Sequence, residues 1–190
     1  GGSAQRDQVR HAAVEAIGCV GQQRGLQVLP QLGGRRTHRA FHFVVDDAFV
    51  YELGGRIVRL EPLAAAHEDA LWEASRDPRT WRWLSVVQPQ TGDEWHAWCE
   101  QALAAAAAGT ELPLVTLAHG RIVGSTRFLA LRPEHLSVEI GWTWLHPSAW
   151  GTGANVEAKL LQLRHAFESW GCRRVELKTD ALNVRSRRAI

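Results

Sequence analysis

Two glycines one residue apart, Gly151 and Gly153, stand where the small-residue run HPSAWGTG passes into ANVEAKLLQLRHAFESW, a stretch with the apolar spacing of an amphipathic helix. Glycine lets a backbone take conformations closed to other residues and leaves no side chain to block a ligand from the amides. The first amides of the following helix have no partner within it, and its dipole adds partial positive charge at that end. Such an end binds phosphate. The spacing is not the P-loop, because GTGANVEAK lacks the Gly-Lys-Ser/Thr ending, and not the dinucleotide fingerprint, because no third glycine or downstream ribose acid fits. A close strand-to-helix turn that binds nothing would use the same two glycines.

Other reactive residues assemble into less. His38, His42, Asp46 and Asp47 fit no defined metal spacing. Cys19, Cys99 and Cys172 are odd in number and far apart, matching neither a disulfide framework nor zinc ligation, so no metal is expected. No Ser-His-Asp arrangement can be placed. The 20 arginines and two lysines are scattered among 20 acids for a net charge of +2, an ordinary surface with no nucleic-acid groove. No apolar run approaches the roughly 20 residues of a membrane span, and the start GGSAQRDQVRHAAVE has no apolar signal core. A cytoplasmic protein that engages neither nucleic acid nor membrane is the expectation. With 190 residues, 45% hydrophobic and nine tryptophans, the chain suits one domain with a substantial core. It contains no methionine and stops at Ile190 inside the charged segment NVRSRRAI, which reads as a fragment.

The elements that must position the glycine loop begin at Gly55. RIVRLEPL is a strand candidate, and AAHEDALWEASRD carries Leu71, Trp72 and Ser75 at helical spacing before Asp77-Pro78 stops it. TGDEWHAWCEQALAAAAAG, with acids in its first turn and a terminal Gly109, predicts a second helix. Two β-rich runs joined at His119-Gly120 form a hairpin, and LSVEIGWTWLHP is a third, aromatic strand. The glycine loop and its helix come next, then RRVELKTD as a strand and NVRSRRAI as the first turn of another helix. This order predicts a mixed, mostly antiparallel α/β sheet flanked by helices. Residues 1–54 stand apart as a poorly organised N-terminal extension: a short helix at 3–18, a strand within Ala40–Leu53 and a Gly/Arg-rich middle without period. The organised domain is expected over 55–190.

The segment VEIGWTWLHPSAWGTGANVEAKLLQLRHAFESWGCRRVELKTDALNVRSRRAI resembles the GNAT superfamily of acetyl-CoA-dependent N-acetyltransferases, and within it the branch of ribosomal-protein N-terminal (serine/alanine) acetyltransferases. The resemblance covers roughly Gly55 to Ile190. It implies that the strand before the loop, through Trp144, Leu145 and His146, binds pantetheine by its backbone. It implies too that the amides of Gly151, Thr152, Gly153, Ala154, Asn155 and Val156 hold the pyrophosphate of acetyl-CoA. Ser148 stands where the family has Arg or Gln, leaving that binding to the amides. In the N-x-x-S segment Asn183 and Ser186 match positions that face the cofactor; Arg187 and Arg188 beside them would meet its 3'-phosphate or stand solvated as an ordinary charged helix start. The same resemblance implies a further helix and strands past this segment, often with the tyrosine that protonates the thiolate. The only tyrosine here is Tyr51, so weak activity and self-association, as in a homodimer, are expected of the chain as it stands.

Acetyl transfer to an amine requires the neutral nucleophile, while an α-ammonium has a pKa of about 8 and a lysine of about 10.4. A carboxylate acting through water can remove the proton. Glu139, in the strand SVEIGWTW, is the candidate base, because a strand residue beside the thioester is held rigidly. A structural strand glutamate accounts for it nearly as well, and Glu157 and Glu176 look blander still. The oxyanion would take a backbone N–H near Trp144 or Leu145 if a local bulge leaves it unpaired. Trp142, Trp144 and Trp150 flank the loop as acceptor pocket or as core. The acceptor is expected to be a protein N-terminal amine. The alternatives are a small-molecule or antibiotic amine and, outside the enzyme class, a non-catalytic CoA-binding module.

Overall fold

The computed structural model describes residues 52–190. The helix expected at 3–18 and all but the last two residues of the strand candidate Ala40–Leu53 lie outside the described residues, as do Cys19, His38, His42, Asp46, Asp47 and Tyr51. A short strand β1 (Leu53–Gly54) turns at Gly55 into β2 (Val58–Pro62), in which Val58 and Leu60 are buried and Arg59 between them is exposed. That alternation is the signature of a strand with one face on a core. Helix α1 (Glu68–Ser75) opens with Glu68 and Asp69 in its first turn, where the dipole favours them. It ends before Asp77, whose carboxylate accepts from Arg79 N (2.9 Å) and fixes a single turn at Pro78–Thr80. Helix α2 (Gly92–Ala107) is capped by Thr91, whose hydroxyl accepts from Glu94 N, while Glu94 reaches back to Gln90 N.

Strands β3 (Leu112–Ala118) and β4 (Arg121–Arg132) form the expected hairpin, with His119 and Gly120 both at positive φ. Strand β5 (Ser137–Leu145) returns antiparallel to β4, and α3 (Ala154–Arg164) follows the glycine loop. The helix continues for one π-type turn, His165–Ser169, before β6 (Arg174–Leu177) and the short α4 (Val184–Ala189). The sheet order is β1-β2-β3-β4-β5-β6, antiparallel throughout except for the parallel pair β5–β6. The mixed, mostly antiparallel architecture read from the sequence is the one observed.

Two cores lie on opposite faces of this sheet. On one, Leu60, Leu114, Phe128, Val138 and Ile140 pack against Ala154 and Ala158 of α3, whose small side chains let the helix lie close. On the other, Val115, Leu117 and Trp144 meet Leu71 of α1 and Trp95, Cys99 and Ala102 of α2. Full burial of each leucine or phenylalanine contributes about 1.5–3 kcal/mol. Trp72, Trp81, Trp95, Trp98 and Trp144 pack ring on ring in the second core, with Trp95 and Trp98 stacked at 4.9 Å between centroids.

Candidate active site

Strands β5 and β6 pair only from Ser137–Ile140 against Arg174–Leu177; β6 then ends while β5 runs on through Gly141–Leu145. The gap between them opens a cleft of about 540 Å³. Its walls are the far half of β5, the glycine loop, the first turns of α3, the segment after β6 with α4, and Thr80, Trp83 and Leu84 from the α1–α2 connection. Along this wall β5 is irregular. Trp144 pairs with Ser125 and Gly141 with Arg127, so Trp142 and Thr143 together face the single residue Thr126. The bulge falls on Trp142–Thr143, ahead of the Trp144–Leu145 position expected from sequence, because Trp144 and Leu145 are both held in register by β4. Trp142 takes φ +51°, a left-handed conformation that costs about 1–2 kcal/mol. Arg127 stacks its guanidinium on Trp142 and Trp98, at 5.0 Å from each ring, and pairs with Glu111 at 2.8 Å.

In the loop Gly151 and Gly153 have φ +74° and +88°, and a Cβ on Gly151 would meet nothing within 4 Å, so its backbone is open to an approaching group. Among the described residues the amides of Gly151, Gly153, Asn155 and Val156 have no acceptor; Ala154 N turns to Thr152 Oγ1 at 3.3 Å and Glu157 N to Gly153 O at 3.0 Å. The first turn of α3 is fastened from behind by Glu157. Its carboxylate accepts from the backbone N–H groups of Arg56 (2.9 Å), Ile57 (2.6 Å) and Val58 (2.7 Å). Desolvation pushes this carboxyl up, but the three amides and the charge of Arg56 outweigh it and hold the pKa below its ordinary value.

The residues singled out by sequence do not all reach the cleft. Trp144, Leu145, Gly151, Gly153, Asn155 and Val156 line the cleft, and Asn183 and Ser186 face them from its other side. Asn183 also caps α4 by accepting from Ser186 N at 3.1 Å. His146, Ser148 and Thr152 instead line a separate hollow beside the β3–β4 hairpin, and Ala154 is fully buried under the loop. Two of the expected pantetheine-binding groups are already engaged: His146 N donates to Val123 O (2.7 Å), and Leu145 O accepts from the Trp150 indole (2.8 Å). Arg188 lines the cleft, whereas Arg187 donates to Ala181 O. Glu139 is 8% exposed, turned to the α1/α2 face opposite Val138 and Ile140, and its Oε2 accepts from Lys178 Nζ at 2.6 Å. Lys178 lines the cleft and Glu139 itself does not. Glu176, also 8% exposed, holds Arg132 and Arg174.

Two residues with a part in this geometry escaped the sequence reading. Glu157 reads as a bland glutamate because its partners lie about a hundred positions away in the chain. Lys159 lines the cleft from α3, its amine bonded to Thr143 Oγ1 (2.7 Å), Thr126 Oγ1 (3.0 Å) and Gln162 Oε1 (3.0 Å). A signal for it existed: it is one of two lysines in a chain that otherwise uses arginine. Lys159, Lys178, Arg185 and Arg188 line the cleft, with no Asp or Glu among the described lining residues. Arg185 lies 3.5 Å over the Trp150 ring, and desolvation lowers its pKa. Cys99 and Cys172 are buried free thiols whose pKa desolvation raises, that of Cys99 to about 12. Among the described residues no three His, Cys, Asp or Glu side chains converge as metal ligands, and no helix is long and apolar enough to cross a membrane.

Residues 58–190 match the family profile of the acetyltransferase (GNAT) domain. No curated protein sequence matches. Among solved structures, one from T. thermophilus described as an acetyltransferase is 39% identical, with a TM-score of 0.66 over 75% of this chain and 73% of that one. A GCN5-related N-acetyltransferase from Brucella melitensis is 29% identical, TM-score 0.67, over 74% of this chain and 65% of that one. Mycobacterium smegmatis RimJ in complex with CoA-disulfide, 23% identical over 70% of this chain and 66% of that one, shares the fold at a TM-score of 0.62. A profile that starts with β2 and runs to the last described residue takes in both strands of the parting pair and the glycine loop between them, and it assigns the chain to the GNAT acetyltransferases, enzymes that draw their acetyl group from acetyl-CoA.

Proposed function

We propose that the cleft between β5 and β6 holds acetyl-CoA and passes its acetyl group to a primary amine, a protein N-terminal α-amine in preference to others. The observation that carries the reading is the far half of β5, without a strand on its β6 side, leading into a glycine loop in which the amides of Gly151, Gly153, Asn155 and Val156 have no acceptor. The residues present fit the co-substrate: free amides and an open Gly151 for the diphosphate, Arg185 and Arg188 for the phosphate charge, and no Asp or Glu among the described lining residues to repel it. When bound, acetyl-CoA supplies an acetyl thioester. Gly151, Gly153, Asn155 and Val156 bind its diphosphate through N–H groups, with Asn183 and Ser186 opposite. The bulge at Trp142–Thr143 offers backbone N–H groups to the carbonyl oxygen. Glu139, on the α1/α2 face, takes the ammonium proton through water once the acceptor displaces Lys178. Much of the rate comes from holding amine and thioester together.

The cleft wall supports the choice of acceptor. Trp83, Leu84 and Trp142 are apolar, and Thr80 Oγ1 and Trp144 Nε1 are buried polar atoms without a protein partner on residues that line it. An α-amine followed by a neutral main chain suits the apolar part of such a wall. A polycationic antibiotic does not, because four cations and no Asp or Glu line the cleft among the described residues. An α-amine also needs less proton removal than a lysine, about 8 against about 10.4 in pKa. Release of free CoA thiol tests the reading, with short peptides bearing free or blocked N-termini, lysine and an aminoglycoside as acceptors. Fast release with free N-termini supports it; faster release with the aminoglycoside replaces the acceptor, and binding without release with any amine leaves a CoA-binding module.

A further inference from the structure

Lys159 enters the cleft from the α3 face, directly behind the bulge. Its ammonium has three N–H donors, and three oxygens surround it: the hydroxyls of Thr143 and Thr126 and the side-chain carbonyl of Gln162. All three are uncharged. The two hydroxyls also bond to each other at 2.8 Å, and Thr143 reaches Gly141 O at 3.3 Å. Hydroxyls can donate or accept, so this cage satisfies the amine with or without its third proton. An ion that is to stay charged inside a protein is normally given a carboxylate; this one has none.

The charged groups on the surrounding elements are occupied elsewhere or displaced from the amine. On α3, Glu157 holds the β2 amides and Arg164 faces Glu168. Lys178 pairs with Glu139, Arg185 lies over Trp150, Arg188 lines the cleft from α4, and His165 follows α3 against Phe128 and Trp170. Among the described residues, β2, β4, β5 and β6 bring Val58, Leu60, Phe128, Val138, Ile140, Val175 and Leu177 to this face, together with the two threonines. Burial alone acts on Lys159 and pushes its pKa down to about 7.

We propose that Lys159 supplies, through the Thr143 hydroxyl, the proton that the CoA thiolate takes as it leaves. The inference rests on the acetyl-CoA reading of the cleft and adds a residue to it. As the amine nitrogen bonds to the carbonyl carbon, the C–S bond breaks and its electron pair stays on sulfur. Sulfur takes the hydroxyl proton of Thr143, whose oxygen takes one from the Lys159 ammonium. Lys159 is left neutral and regains a proton from solvent, while the proton shed by the acceptor nitrogen leaves by Glu139. Because the acid form is needed, activity is present below the pKa of Lys159 and declines as pH rises through it.

The test measures kcat and KM across pH for wild type, Lys159→Met, Lys159→Arg and Thr143→Val, with acetyl-CoA affinity by calorimetry and folding by melting temperature. Arginine keeps a cation and its donors but does not release a proton near neutrality. The expected result is a loss of about 10²-fold in kcat for all three variants, with acetyl-CoA affinity changed by no more than about twofold. The decline of wild-type kcat/KM above a pH of about 7 is expected to vanish in both Lys159 variants. Wild-type kcat in Lys159→Arg, or the same alkaline decline in Lys159→Met, overturns the assignment while leaving the acetyl-CoA site standing. Failure of the wild-type chain to bind acetyl-CoA overturns both. If Lys159→Met does not fold, Lys159→Arg and Thr143→Val carry the decision.

Discussion

Three backbone amides converge on Glu157, so one carboxylate fastens the phosphate end of α3 to the start of β2. Glu157→Gln keeps the shape but gives up the charge that three donors share. It is expected to raise KM for acetyl-CoA severalfold with kcat nearly unchanged, a split that steady-state kinetics resolves. The lowered pKa sets the pH behaviour. The stability Glu157 contributes is complete above the ordinary carboxyl value of about 4.3 and fades as pH falls through the folded value, so wild type and variant melt increasingly alike in acid. Glu139 is the opposite case, a carboxylate held by one movable partner, Lys178. Glu139→Gln should lower kcat by about 10²–10⁴-fold with acetyl-CoA affinity retained; full turnover at every pH would return Glu139 to a purely structural pairing. Lys159 gives a stability signature independent of catalysis. With a pKa of about 7 when folded, it binds fewer protons than the unfolded chain up to about pH 10.4, so wild-type stability rises across that window. Lys159→Met lacks the rise, and parallel Tm-against-pH curves for the two would show a solvated amine.

The glycine loop and α3 act as one element, and Gly153 is where they join. Its φ of +88° already disfavours any other residue, and a Cβ there would stand 3.1 Å from Ile57 Cδ1. Gly153→Val is expected to keep the fold at a cost of about 1–2 kcal/mol while weakening acetyl-CoA binding far more; calorimetry on the folded variant checks it. This loop was legible in the sequence because its cause is local: a strand, two glycines and a helix in succession. The hairpin at His119-Gly120 and the strand within RIVRLEPL were legible for the same reason. The bulge was anticipated in kind but misplaced by two residues, since its position depends on how β4 registers against both Gly141 and Trp144. Glu157 and Lys159 were not legible as site residues, because their partners sit on β2, β4 and β5 and only the closed sheet brings them to α3. His146 and Thr152 follow the motif in sequence yet turn to the hollow beside the hairpin, because the turn at Pro147–Ala149 rotates the chain between strand and glycines.

Over the whole molecule, the described residues, 52–190, supply two hydrophobic cores and walls on each side of the cleft. Deleting residues 1–51 is therefore expected to leave acetyl-CoA affinity unchanged and to move the melting temperature little, whereas a large drop would show that this segment packs on the domain. The tryptophan stack has a consequence of another kind. Trp95 touches Trp72 and Trp98, and all but Trp72 lie within 6.5 Å of Trp81 or Trp144, ring centre to ring centre. Indoles so close share their excited state, and Trp144 brings one end of the array to the cleft wall. Light absorbed deep under α2 is therefore expected to reach the ring beside β5, so that a change of intrinsic fluorescence on adding acetyl-CoA would report occupancy of the cleft.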